Sequence, residues 1–122
     1  MIKALYVDDD PDISTIVEMC LDLSGEFEIV CASSGQEALV KAEAWQPDVV
    51  LLDYMMPVMD GPTTYLCLKE NPATAGIPVA FVTAKSMQSD VSTLLELGAI
   101  GVISKPFDPN SLATDVKALL AG

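Results

Sequence analysis

The sequence contains neither histidine nor arginine, and all six of its cationic side chains are lysines. This inventory excludes hydrolases that activate their nucleophile with their own histidine base and metal centres built on imidazole ligands. It also excludes arginine clamps that hold phosphate through two parallel hydrogen bonds. The side chains left for chemistry carry carboxylates, ammonium groups and hydroxyls.

Long apolar runs and paired cysteines are lacking too. Although 51% of the residues are apolar, no run reaches the roughly 18 residues that cross a bilayer, and residues 2–7 are too short for a signal peptide. Cys20, Cys31 and Cys67 are odd in number and have no CxxC spacing, so we expect small buried hydrophobic side chains rather than disulfides or a zinc site. We therefore expect a cytoplasmic protein without a membrane segment.

Positive charge is scarce, since eighteen acidic residues against six lysines give a net charge of −12 at pH 7. A chain this negative is repelled by nucleic-acid phosphates and by anionic lipids. We expect neither direct nucleic-acid binding nor membrane binding. The length of 122 residues is typical of one domain, so residues 1–122 are predicted to form a single domain.

Short apolar runs alternate with amphipathic stretches along the chain, a pattern typical of a parallel sheet with helices on both faces. The predicted strands are residues 2–7, 27–31, 49–52, 78–82 and 99–103. The predicted helices cover about residues 11–24, 35–46, 61–70, 89–97 and 109–120.

Capping signals support several of these helix boundaries. Asp10 before Pro11 predicts an N-cap followed by a first-turn proline, and Asp108 before Pro109 predicts the same arrangement for the last helix. Ser34 and Glu37 have the spacing of a capping box, in which each residue satisfies a backbone N–H of the other. The sequence thus predicts five successive strand–helix units.

The informative polar residues directly follow the apolar runs. Asp8, Asp9 and Asp10 follow the first run, Asp53 the third, Thr83 the fourth and Lys105 the fifth. In an open parallel sheet all of these positions lie at the carboxyl edge, where ligands bind at the topological switch point. Clustered carboxylates repel one another unless a hard cation or a basic partner holds them ionised, and oxygen ligands favour Mg²⁺ or Mn²⁺. The lysine has two interpretations, a buried counterion or a point charge for phosphate. A threonine in the position of Thr83 is more often only a strand-end hydroxyl.

Two other motifs match parts of the same acidic segment. Asp8, Asp10 and Asp12 match the first half of a calcium-binding EF-hand loop. That interpretation fails because Ile13 stands where glycine is needed and Met19 where a bidentate glutamate belongs. An aspartyl phosphatase with Asp8 as nucleophile and Asp10 as acid is chemically allowed, but it does not fit a chain this short without a glycine after Asp10.

Four strings together resemble the receiver domains of two-component response regulators, in the right order and over the whole chain. They are VDDDP at 7–11, LLDYMMPVMDG at 51–61, VTAK at 82–85 and SKPF at 104–107. The resemblance implies a flavodoxin-like, doubly wound α/β fold with five parallel strands in the order 2-1-3-4-5.

The resemblance also implies a chemistry for the carboxylates. Asp53 would be the phospho-acceptor, taking its phosphoryl group from a phosphohistidine of a sensor histidine kinase or phosphotransfer protein. Asp9 and Asp53 would bind Mg²⁺ directly, with Mn²⁺ as the alternative ion. The backbone carbonyl of Met55 would be a further ligand, and Asp8 would act through water.

The remaining motif residues acquire roles in the same way. Thr83 would hydrogen-bond a phosphoryl oxygen in the active state and pull its loop inward, while Lys105 would be aimed into the site by a cis peptide bond to Pro106. Val102 stands where the family often has a rotating tyrosine or phenylalanine. The resemblance therefore gives weaker support for signal output through the family's usual surface, which is formed by the fourth helix, the fifth strand and the fifth helix.

Met55 lies two residues after Asp53, and Lys85 lies two residues after Thr83. In the family these two positions tune the lifetime of the phosphoryl group. A thioether offers a hydrolytic water little hydrogen bonding, and a lysine could shield the phosphoryl oxygens. We therefore predict slow self-dephosphorylation. The alternative for Lys85 is a side chain that is exposed to solvent and has no role in shielding.

The predicted function is a phosphorylation-dependent signalling switch that catalyses its own phosphorylation and dephosphorylation, without turnover of an external substrate. It would act on a downstream protein through protein contacts, with homodimerisation on phosphorylation as a further expectation. A stand-alone receiver and a domain of a larger regulator or hybrid kinase are both compatible with the sequence. The alternative function is a pseudo-receiver, an interaction module that is not phosphorylated.

Overall fold

The structure is a computed structural model that describes residues 1–84, 91–105 and 107–121. Within those ranges five strands alternate with five helices, as the sequence predicts. The strands are β1 (Ile2–Val7), β2 (Phe27–Ala32), β3 (Val49–Asp53), β4 (Val79–Ala84) and β5 (Gly101–Lys105). The helices are α1 (Pro11–Leu23), α2 (Gly35–Trp45), α3 (Gly61–Glu70), α4 (Val91–Glu96) and α5 (Leu112–Ala121).

The strands form one parallel sheet in the order β2-β1-β3-β4-β5, which confirms the predicted flavodoxin-like topology. From β1 the chain first builds outward to β2 and then returns to add β3, β4 and β5 on the other side. The topological switch point therefore lies between β1 and β3, where the crevice at the carboxyl ends of the strands opens.

Two apolar clusters fill the space between the sheet and its helices. One cluster lies under α1 and α5 and includes Tyr6, Val17 and Val116. The other lies under α2 and α3 and includes Leu52 and Phe81. Because both faces are covered, the central strands are buried on both sides, which explains their nearly continuous apolar sequences.

The helix starts follow the capping signals with one difference. Asp10 caps α1 through its carboxylate, and Ser34 Oγ accepts a hydrogen bond of 3.1 Å from the Glu37 N–H at the start of α2. The Glu37 carboxylate, however, accepts from the N–H of Ser33 instead of Ser34 and also pairs with Lys41. Only half of the predicted capping box forms.

The start of α5 differs from its prediction. Asp108 accepts the Asn110 N–H with its carboxylate and the N–H groups of Ser111 and Leu112 with its carbonyl, so a turn precedes the helix. The helix itself begins at Leu112, the first residue of this segment that is buried. The predicted start of the fourth helix, at residue 89, lies outside the described residues.

The three cysteines are free, but the prediction that they are buried is wrong in degree, because each is only partly buried. Cys31 lies on the edge strand β2, and Cys20 and Cys67 lie at the borders of the buried faces of α1 and α3. Among the described helices, none combines the length and the apolar character needed to cross a membrane.

Candidate functional site

The register of the sheet brings the predicted site residues to one edge. Val7 pairs with Leu52, so Asp8, which directly follows β1, lies at the same level as Asp53, the last residue of β3. Thr83 directly follows the β4 residue that pairs with Asp53. Segments distant in the sequence therefore meet at the switch point between β1 and β3.

A lysine joins the two buried carboxylates. The Nζ atom of Lys105, at the end of β5, lies 2.9 Å from Asp8 Oδ2 and 3.1 Å from Asp53 Oδ1. Asp8 is 2% exposed and Asp53 is 5% exposed, so solvent screens these contacts far less than it screens a surface ion pair. Lys105 is a counterion of both carboxylates in this structure.

Asp9 completes a group of three carboxylates. One oxygen from each of Asp8, Asp9 and Asp53 lies within 4.8 Å of the others, with the Asp9 side chain exposed. Oxygen ligands at the usual Mg²⁺ distance of about 2.1 Å lie about 3–4.2 Å apart, so small side-chain shifts suffice for binding. Because Lys105 alone cannot neutralise three carboxylates, the residues present fit a divalent cation that prefers oxygen ligands.

Asp8 is fixed by its own donors as well as by the lysine. Its Oδ1 accepts a hydrogen bond of 3.0 Å from the Asp10 N–H, and its Oδ2 accepts one of 2.7 Å from the Tyr6 hydroxyl. The Asp10 carboxylate turns instead to the N–H groups of Asp12 and Ile13 at the start of α1. The third aspartate of the run therefore serves the helix, and the first two line the site.

The environments of Asp8 and Asp53 shift their pKa values in opposite directions. Burial opposes ionisation of Asp8, but the hydrogen bonds from Asp10, Lys105 and Tyr6 outweigh it and hold the pKa of Asp8 below its usual range. Burial, and then the charge of Asp8, raise the pKa of Asp53 to about 6 despite the nearby ammonium group. For Lys105, burial acts against the charged form, but Asp8 and Asp53 together raise its pKa above the usual value.

The other predicted residues lie around this centre. Thr83 is buried at the carboxyl end of β4, whereas the Met55 side chain, two residues beyond β3, is 64% exposed. Val102 is half-buried and packs against the apolar cluster under α2 and α3. Lys85 and Pro106 lie outside the described residues, so the predicted cis peptide bond and the shielding lysine remain predictions.

Tyr6 is the site residue that the sequence reasoning missed, because it was counted within the first apolar run. The signal was present in the alternation of β1, since residues two apart in a strand point to the same face. A tyrosine two positions before an aspartate can therefore direct its hydroxyl toward that carboxylate. Burial, and then the hydrogen bond to Asp8, raise the pKa of Tyr6, so the hydroxyl remains a donor.

The sequence model of the response regulator receiver domain matches residues 4–117 of this chain. The chain belongs to this family. Receiver domains act as phosphorylation-dependent switches, interact with sensor kinases or phosphotransfer proteins and generally bind Mg²⁺. The acidic group of Asp8, Asp9 and Asp53 could hold such an ion.

Individual relatives agree with the assignment to the receiver domains. The chain is 39% identical, over 118 residues, to the alkaline phosphatase synthesis transcriptional regulatory protein PhoP of Bacillus subtilis, covering 97% of this chain and 48% of PhoP. Several other relatives are also transcriptional regulators by name, and another is named as a response regulator. This receiver domain spans about half the length of these curated relatives.

Solved receiver structures match the fold over nearly the whole chain. The chemotaxis protein CheY4 of Vibrio cholerae superposes with a TM-score of 0.88 at 29% identity, covering 98% of each chain. The signal receiver domain of a signal transduction histidine kinase from Syntrophus aciditrophicus gives 0.85 at 34% identity, covering 100% of this chain and 92% of the other. Receiver domains with this fold thus occur both as chains of similar length and within kinases.

Proposed function

We propose that this receiver domain accepts a phosphoryl group on Asp53 from a phosphohistidine of a sensor kinase or phosphotransfer protein. The observation that carries the proposal is the bridge of Lys105 between Asp8 and Asp53, beside Asp9, at the switch point of the sheet. These 122 residues contain no histidine, so the imidazole of the donor must lie outside them.

The transfer needs no proton-transferring base on this chain. An oxygen of Asp53 attacks the phosphorus, the bond from phosphorus to the imidazole nitrogen breaks, and that nitrogen keeps the electron pair. The nucleophile must be ionised, and with a pKa of about 6 most Asp53 side chains are ionised at pH 7. Lys105 already contacts Asp53 and is placed to follow the charge onto the phosphoryl oxygens.

The acidic group provides for the charge of the transferred phosphoryl group. Asp8, Asp9 and Asp53 would hold Mg²⁺, with Asp8 acting through water and the backbone carbonyl of Met55 as a further ligand. When bound, the ion offsets the negative charge of the carboxylates and of the phosphoryl oxygens. The ordered donors around Asp8 support this role, because they fix one carboxylate before any ion arrives.

Signalling would follow from the new charge at Asp53. Thr83, buried at the end of the neighbouring strand, would hydrogen-bond a phosphoryl oxygen in the active state. The downstream partner would be a protein that distinguishes the phosphorylated from the unphosphorylated domain. The thioether of Met55 offers a hydrolytic water only a weak hydrogen-bond acceptor, which supports slow loss of the phosphoryl group.

Residues 1–122 are proposed to work as one receiver domain that catalyses only its own phosphoryl transfer and hydrolysis. A cytoplasmic location for this activity is supported by three free cysteines, since thiols stay reduced in that compartment.

Intact-mass measurement after incubation with Mg²⁺ and acetyl phosphate or phosphoramidate tests the function. We expect one added phosphoryl group that requires Mg²⁺, disappears in Asp53→Ala and persists in Asp22→Ala, which removes an exposed carboxylate of α1 far from the acidic group. A wild-type protein that gains no mass would support the pseudo-receiver alternative instead, and an Asp53→Ala variant that still gains the mass would contradict Asp53 as the acceptor.

A further inference from the structure

A buried tyrosine hydroxyl reaches the acidic site from the core side of the sheet. Tyr6 is 1% exposed and lies in the apolar cluster under α1 and α5. Its hydroxyl donates a hydrogen bond of 2.7 Å to Asp8 Oδ2. A buried tyrosine hydroxyl needs a partner, and here that partner is a carboxylate of the proposed metal site.

The two oxygens of Asp8 are held from three directions. Oδ1 accepts the N–H of Asp10, which belongs to the segment leading into α1. Oδ2 accepts both the Tyr6 hydroxyl and Lys105 Nζ, the latter at 2.9 Å. The orientation of this carboxylate is therefore set by donors on β1, on β5 and in the loop after β1.

These donors differ in whether they remain with Asp8 during the reaction. Lys105 also contacts Asp53 at 3.1 Å, and under the proposed function it turns toward the phosphoryl group there. The Tyr6 hydroxyl is enclosed in the core and has no second carboxylate among its described hydrogen bonds. When the ammonium group turns away, the tyrosine still holds Oδ2.

We propose that Tyr6 is a positioning residue that holds the Asp8 carboxylate in the orientation that favours Mg²⁺ binding while Lys105 serves the phosphoryl group. The inference rests on the proposed function, because it assigns Tyr6 a role in the same site. Hydrogen-bond partners around a metal site fix the orientation of its carboxylates, and their removal typically weakens metal binding about 10–100-fold. Because Asp8 would contact the ion through water, we expect the low end of that range, about tenfold, for loss of the Tyr6 hydroxyl.

Tyr6→Phe tests the inference because it removes only the hydroxyl. Tyr65→Phe is a matched control, since Tyr65 is also 1% exposed and its hydroxyl donates to the Leu97 carbonyl, away from the acidic group. Titration calorimetry with Mg²⁺ alone should show binding about tenfold weaker in Tyr6→Phe and unchanged in Tyr65→Phe. Phosphorylation by acetyl phosphate should need correspondingly more Mg²⁺ for half its maximal rate in Tyr6→Phe, with a maximal rate close to that of the wild type.

Mg²⁺ affinity equal to or tighter than wild type in Tyr6→Phe, or an equal loss in both variants, would overturn the inference and leave the proposed function intact. Wild-type protein that neither binds Mg²⁺ nor gains a phosphoryl group would overturn the proposed function itself.

A measurement on the unmodified protein covers the case in which Tyr6→Phe does not fold. During Mg²⁺ titration the ring-carbon NMR signal of Tyr6 should shift with the same affinity as the calorimetric binding, and a Tyr6 signal that stays constant contradicts the role.

Discussion

At the scale of single residues, Asp8 and Asp53 share one lysine but differ in what else surrounds them. Asp8 has a backbone N–H and a hydroxyl in addition to Lys105, and its pKa is lowered. Burial and the charge of Asp8 instead raise the pKa of Asp53 to about 6. Asp53 is therefore the carboxylate whose negative charge opposes folding, and the one whose charge a bound cation would relieve.

This imbalance predicts that Asp53→Asn stabilises the metal-free protein at pH 7. The amide keeps the shape of the side chain and can still accept from Lys105, while the unfavourable charge is removed. After a discount for partial solvent screening, the gain in the free energy of unfolding should be about 1–2 kcal/mol. Urea unfolding in the presence of EDTA measures it.

The pH dependence of that gain provides its control. An unfolded aspartate has a pKa of about 3.9, so between about pH 4 and pH 6 the folded protein binds the Asp53 proton more tightly than the unfolded chain. The wild type therefore loses stability from this group as the pH rises through about 6, and the advantage of Asp53→Asn shrinks toward zero at about pH 4. An advantage independent of pH, or one that grows on acidification, contradicts the raised pKa.

At the scale of elements, the boundaries that local chemistry determines could be predicted from the sequence. The interval predicted for the third helix is that of α3, and Ser24 ends α1 where Gly25 follows it with a positive φ of 73°. Ser34 caps α2 as its spacing predicts. These signals are short-range, so no knowledge of the tertiary structure is needed to interpret them.

Contacts that depend on tertiary structure could not be predicted in the same way. The Glu37 carboxylate accepts from Ser33 and pairs with Lys41, whose ammonium group also donates to the Cys31 carbonyl of β2. The meeting of Lys105 with Asp8 depends on the strand order, which the periodicity alone does not give. The family motifs supplied that order, but the hydrogen bond from Tyr6 belongs to no motif and required the structure.

The junction between β3 and α3 predicts a strong effect of one methyl group. A Cβ on Gly61 would lie 2.8 Å from Tyr54 Cα and closer still to the Asp53 carbonyl oxygen, and both are backbone atoms that cannot turn aside. Gly61→Ala should therefore lower the free energy of unfolding by about 1–3 kcal/mol and displace the acceptor segment.

Gly76→Ala provides the matched comparison for Gly61→Ala. A Cβ at Gly76 meets nothing within 4 Å, so this variant should be as stable as the wild type or slightly more stable. Urea unfolding of both proteins measures the contrast. Equal stability of the two variants would show that the close approach of α3 to the acceptor strand is not a constraint.

At the scale of the whole molecule, eighteen acidic residues outnumber six lysines, which leaves the net charge of −12. The described lysines each contact a carbonyl oxygen or a carboxylate, and these are Lys3, Lys41, Lys69, Lys105 and Lys117. Repulsion among the remaining carboxylates destabilises the fold and is reduced by any added salt. Specific binding of Mg²⁺ must therefore be distinguished from screening.

Thermal unfolding in MgCl₂ and in NaCl at matched ionic strength separates the two effects. Mg²⁺ should stabilise the wild type beyond NaCl, by about 2.7 kcal/mol when its concentration is 100 times Kd. Asp9→Asn should lose most of this excess, whereas Asp22→Asn, which removes an exposed charge on α1, should retain it. If Asp9→Asn keeps the full excess, Asp9 is not a ligand.

Locating the phosphoryl group tests the central claim most directly. After incubation with Mg²⁺ and acetyl phosphate, borohydride reduces an aspartyl phosphate to homoserine. Peptide masses then identify the converted residue. We predict conversion at position 53 alone, dependent on Mg²⁺. Conversion at Asp8 or Asp9, or a phosphorylated protein in which position 53 remains aspartate, would contradict the account.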